Sequence, residues 1–111
     1  MKIKVGNKNY ELNFGIGFVR ELDQRNGVGA KGVKFGMGLT KTLYGMRVYD
    51  PACLSDILYS ATWADSTRPT PQAVDRMLES ENTDIEKLFD DVTAELSKAN
   101  TVKLAAKNMR A

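Results

Sequence analysis

An aspartate followed by a proline, three residues ahead of an apolar stripe, is the feature that most constrains this chain. Asp50 and Pro51 read as the opening of a helix. A carboxylate at the N-cap accepts from an orphan N–H of the first turn, and proline at the first helical position gives up an N–H that has no partner there. Leu54, Ile57, Leu58 and Ala61 then recur at i, i+3, i+4 and i+7, one apolar face at helical period. Tyr49 and Trp63 bracket that face, which predicts a helix through the middle of the core.

The segments around it follow from the same logic. Ile3 and Val5 alternate with Lys2 and Lys4, and Tyr10, Leu12 and Phe14 alternate with Asn9, Glu11 and Asn13. Period two with one apolar face is a half-buried strand, and Gly6-Asn7-Lys8 supplies a turn. Residues 1–13 are therefore expected to form a β-hairpin. A lone hairpin is marginal in water, so it must pack on helices. Phe14, Phe18 and Leu22, spaced by four, predict a helix from Gly15 to Arg25, with Gly27 as its stop. Five glycines between Gly27 and Gly38 predict a loop, or a loop running into a weak helix. Phe35, Leu39, Leu43 and Met46 predict a further helix from about Phe35 to Met46.

After Trp63 comes a polar connector. Thr70-Pro71 then repeats the cap-plus-proline pattern ahead of Val74, Met77 and Leu78. Thr83-Asp84-Ile85-Glu86 reads as a capping box, Thr83 and Glu86 satisfying N–H groups reciprocally. Ile85, Leu88, Phe89, Val92 and Leu96 make the last clear stripe. Beyond it, residues 97–111 are a helix extension or a mobile C-terminal tail. The expected fold is α+β: one globular domain over residues 1–96, with an N-terminal hairpin packed on four to five helices within residues 15–96.

Charge is unevenly placed. Residues 1–50 hold nine Lys and Arg against four Asp and Glu, and residues 51–111 hold seven against ten. Within residues 75–95 there are eight carboxylates and two bases. Such faces are ordinarily solvated. The alternative is head-to-tail self-association or a charged partner. No apolar run nears the ~18 residues of a membrane span. No apolar segment follows Lys2 and Lys4 as a signal peptide requires. The single cysteine, Cys53, fits a reducing compartment. The expectation is a cytoplasmic protein with no membrane partner.

Catalytic equipment is not visible. The chain has no histidine, which removes the commonest general base and metal ligand. One cysteine makes neither a thiol–imidazole pair nor a metal cluster. The expectation is a protein that is not an enzyme and uses no cofactor or metal. Gly27-Val28-Gly29-Ala30-Lys31-Gly32 formally matches G-x-G-x-x-G, but a dinucleotide site needs that motif between a buried strand and a helix of a βαβ unit. Lys2, Lys4 and Lys8 on the hairpin raise the alternative of a small nucleic-acid-binding regulator. No aromatic residues interleave with these lysines for base stacking, so a nucleic-acid partner is not expected. Candidate partner-binding residues are the aromatics Tyr59 and Trp63 and the acidic Glu86, Asp90 and Asp91 of the final stripe.

The order of features also resembles a known family. The Lys-rich hairpin leads into Tyr10-Glu11-Leu12-Asn13-Phe14-Gly15-Ile16-Gly17-Phe18-Val19-Arg20-Glu21-Leu22-Asp23. A Gly-rich stretch follows, then Asp50-Pro51, Leu54 to Thr62 and Arg68-Pro69-Thr70. This is similar to the tail assembly chaperones of long, non-contractile-tailed phages and prophages of Gram-positive bacteria, over roughly residues 1–96. The resemblance implies a protein that coats the tape-measure protein in the bacterial host cytoplasm, helps recruit tail-tube subunits and is absent from the mature virion. It also implies that a longer form is made by programmed frameshift, for which Ala106-Lys107-Asn108 is a suitable slip point. A head–tail connector component of the virion is a further alternative.

Overall fold

The computed structural model describes residues 1–26, 29–30, 33–34 and 37–110. Strands β1 (Lys2–Val5) and β2 (Lys8–Glu11) form the N-terminal antiparallel hairpin, in the register Val5 to Lys8 and Lys2 to Glu11. Gly6 and Asn7 make the two-residue turn, with positive φ at Gly6 (63°), a conformation that glycine adopts without steric cost. Ile3, Val5 and Tyr10 point into the core, while Lys2, Lys4 and Lys8 face outward.

Six helices follow among the described residues: α1 (Ile16–Asn26), α2 (Met37–Arg47), α3 (Pro51–Ser60), α4 (Pro71–Glu79), α5 (Ile85–Lys98) and α6 (Asn100–Arg110). The Gly-rich stretch, expected to be a loop, contains a two-residue antiparallel pairing of β3 (Gly29–Ala30) with β4 (Val33–Lys34). The expected stop at Gly27, the start of the second helix at Phe35 and the full G-x-G-x-x-G motif lie outside the described residues.

Helix α3 is the centre of the packing. Leu54, Ile57, Leu58 and Ala61 have no exposed surface. Each of the three larger side chains gains about 1.5–3 kcal/mol from that burial. Helix α3 packs on α1, α2 and α4. The two flanking aromatics behave differently from the stripe they bracket: Tyr49 is 55% exposed and Trp63 37%. Both stand just outside the helix, where the chain enters and leaves the core.

Two caps are as the sequence predicts. Asp50 accepts from the Ala52 N–H at 2.9 Å, and Thr70 accepts from the Ala73 N–H at 3.0 Å. The third is displaced by one residue. Asp84, rather than Thr83, caps α5, accepting from the Lys87 N–H at 3.1 Å. Thr83 instead donates its hydroxyl to the Met77 carbonyl at 2.6 Å, closing the end of α4. A carboxylate is as good a cap as a hydroxyl, and the threonine is more useful to the preceding helix.

The chain bends at Ala99 between α5 and α6. Helix α6 then returns against α2 and buries Val102 completely. Thr101 donates to the Phe14 carbonyl at 2.6 Å, and Asn13 donates its N–H to the Ala61 carbonyl at 2.9 Å. These bonds join the hairpin exit, the end of α3 and α6 at one point.

Candidate functional site

Helix α5 buries Phe89, Val92 and Leu96, which leaves two polar flanks separated by the apolar stripe. Glu86 and Asp90, four residues apart, share one flank. Asp91 lies on the other, with Lys87, whose ammonium pairs with it at 2.6 Å. That contact raises the pKa of Lys87 above its ordinary value.

The Glu86–Asp90 flank meets Tyr49, one of the two aromatics that bracket the α3 stripe, at Asp90. Tyr49 sits in the turn between α2 and α3 with φ of 58°, a conformation unusual for a bulky side chain. Its ring packs edge-on against Phe89, centroids 5.2 Å apart, and its hydroxyl donates to the Asp90 carboxylate at 3.4 Å. Tyr44 and Val48, nearby in sequence, are 62% and 58% exposed. Three large side chains within six residues are thus left outside the core, and the last of them, Tyr49, meets the acidic flank of α5 at Asp90. For Val48 and Tyr49 the signal was their place between the end of α2 at Arg47 and the Asp50 cap, where residues belong to no helical stripe; Tyr44 lies within α2, off its Leu39–Leu43–Met46 stripe.

Tyr59 and Trp63 stand elsewhere, at the end of α3 against α1 and the hairpin exit. The Tyr59 ring has two guanidinium groups over it, Arg25 at 4.8 Å and Arg68 at 4.0 Å. Arg68 also donates to Glu21 at 2.7 Å and Thr62 at 3.3 Å, and Arg25 pairs with Asp56 at 3.3 Å. The Trp63 indole N–H donates to the Asn13 carbonyl at 3.0 Å, and its ring lies over Gly17. Of the five expected partner residues, the structure brings Glu86 and Asp90 together. Asp91 is on the opposite flank of the same helix, and Tyr59 and Trp63 form a separate group.

The hairpin lysines are not arranged as a uniform ribbon. Lys8 bonds Thr67, pairs with Asp65 at 3.6 Å and lies 4.9 Å from the Tyr10 ring. Asp65 accepts from the Thr67 N–H and hydroxyl, which holds its carboxyl below the usual range. Lys2 and Lys4 line a cleft shared with Asp84 and Asp91. The basic and acidic parts of the sequence therefore adjoin here within one molecule.

Cys53 is half-buried, and its Sγ sits where a β-carbon on Gly45 would lie. Burial first, then the neighbouring Asp50 carboxylate, pushes its pKa up to about 11, which suppresses the reactive thiolate. Among the described residues no three metal-ligating side chains gather where they could hold an ion. No described helix is long and apolar enough to cross a membrane.

A family model described as "Phage tail assembly chaperone protein, TAC" matches residues 2–110. No curated protein and no solved structure matches the chain.

Proposed function

The chain belongs to the phage tail assembly chaperone family, and from that premise we propose that it binds the tape-measure protein and helps bring tail-tube subunits to it. The observation that carries this reading is the exposed group Tyr44, Val48 and Tyr49, joined through the Tyr49 hydroxyl to Asp90. Exposed apolar side chains edged by carboxylates suit a helix that presents apolar and basic residues together. In this reading the long, helical tape-measure protein supplies such faces along its length.

In this reading Glu86 and Asp90 contact the partner. Tyr59, Trp63 and Asp91 hold the elements that present the surface, because their rings or charges are already engaged within the chain. The protein acts in the cytoplasm of a Gram-positive host, without catalysis, and is left out of the finished virion. Copies that self-associate along the tape measure, and a longer frameshifted form, belong to the same proposal.

Two results test it together. Affinity capture of the tagged chain from phage-producing cells should recover the tape-measure protein, and purified particles should lack the chain. Presence in particles at a stoichiometric level would favour a head–tail connector and overturn the reading.

A further inference from the structure

The free edge of β1 lines an open cleft of about 340 Å³ against α4 and α5. Consecutive residues 1–4 all contribute to its lining. Alternate side chains of a strand point to opposite faces, so four consecutive residues border one cleft only along the strand's edge.

The register shows which main-chain groups that edge offers. The Leu12 N–H donates to the Met1 carbonyl at 2.9 Å, and Ile3 pairs with Tyr10 and Val5 with Lys8. In an antiparallel ladder hydrogen-bonded and non-bonded pairs alternate. The N–H and C=O of Lys2 and Lys4 therefore point away from β2 and toward the cleft. Among the described residues they meet no other backbone group there.

The cleft is apolar at its base and positive along the strand. Met1, Met77 and Leu88 are half-buried in its lining, and two thioethers make an adaptable surface. Across the cleft the charges are compensated: Asp91 pairs with Lys87 at 2.6 Å and Asp84 caps α5. Lys2 and Lys4 form no ion pair within 4 Å among the described residues; Glu11, across the ladder from Lys2, pairs instead with the N-terminal amine at 3.6 Å, and Lys4 stands across from the neutral Asn9.

We propose that this edge binds an extended segment of another protein, one that alternates acidic and apolar residues, by adding it as a third strand beside β1. Main-chain bonds to Lys2 and Lys4 give the attachment, and side-chain alternation gives the choice. Acidic residues fall opposite the two lysines, where opposite charges across a strand pair are favourable. A second copy is the wrong occupant. Antiparallel pairing of β1 with its own copy sets lysine against lysine, the usual way an edge resists self-pairing. The site uses neither Tyr49 nor Asp90, so it stands independently of the proposed tape-measure surface.

The test is amide NMR of the full chain titrated with a short capped peptide of alternating glutamate and valine, with a lysine–valine peptide as control. The Lys2 and Lys4 amides should shift and gain exchange protection, and the acidic peptide should bind roughly tenfold more tightly. The exposed double substitution Lys2→Glu with Lys4→Glu should invert that preference while leaving other amides in place. No change at those two amides, equal binding of the two peptides, or concentration-dependent protection without peptide would each overturn the proposal.

Discussion

Arg68 grips Tyr59 twice: its guanidinium lies 4.0 Å over the Tyr59 ring and donates to the Tyr59 carbonyl at 2.9 Å. The same group reaches Glu21 on α1 and Thr62 after α3. One planar fork thus joins α1, the end of α3 and the connector to α4. Lysine has a single ammonium and no flat face, so it cannot reproduce this set. Arg68→Lys should cost about 1–3 kcal/mol, read from the midpoint of urea unfolding. A change within about 0.5 kcal/mol would show that the contacts are merely superficial.

Gly17 is covered by Trp63. A β-carbon there would stand 2.4 Å from the indole ring, closer than any van der Waals contact, while the indole N–H holds the Asn13 carbonyl at 3.0 Å. Gly17→Ala improves helix propensity by up to about 1 kcal/mol but must push the ring aside and weaken a bond of similar worth. The overlap with the rigid ring adds the cost of overpacking, so the substitution should destabilise the chain by about 1–3 kcal/mol in urea unfolding. Emission from the chain's single tryptophan should shift to the red. Unchanged emission would contradict the packing.

The Cys53 thiol gives a pH prediction with a definite sign. Its pKa rises on folding from 9.0 to about 11. Below pH 9 both states keep the proton and the contribution is complete. Above it the unfolded chain ionises first, so the stabilisation is lost between pH 9 and about 11. Other groups titrate in that range, so the useful quantity is a difference. The stability margin of the native chain over Cys53→Ala should shrink between about pH 8 and about pH 10 in urea unfolding. Alkylation of the folded chain near pH 8 should run far slower than of a model thiol.

The parts of this fold that were legible in advance are those set by local chemistry. The Leu54–Ile57–Leu58–Ala61 face and the Asp50 and Thr70 caps depend on neighbours a few residues away, and the structure has them as expected. The Thr83 cap was misassigned because Thr83 and Asp84 are both competent, and only the end of α4 decides between them. The candidate surface was less legible. Tyr49 meets Asp90, and β1 faces α5, across forty or more residues of chain. Periodicity carries no information about such meetings. The acidic flank of α5 was visible as a pattern, but its aromatic neighbour Tyr49 comes from the turn before the Asp50 cap, 41 residues from Asp90.

The central claim is that the exposed Tyr44, Val48 and Tyr49, with Tyr49 bonded to Asp90 of α5, hold the tape-measure protein. Tyr49→Gly is the suitable probe, because glycine keeps the positive-φ turn while removing the ring. The measurement is the soluble yield of the phage's tape-measure protein when co-expressed with the native chain, with Tyr49→Gly/Asp90→Ala, or alone. The account predicts high yield with the native chain and yield near the unaccompanied level with the double variant, which itself remains folded. Equal yield with both chains would contradict the surface. No gain from the native chain over the tape-measure protein alone would contradict the chaperone reading itself.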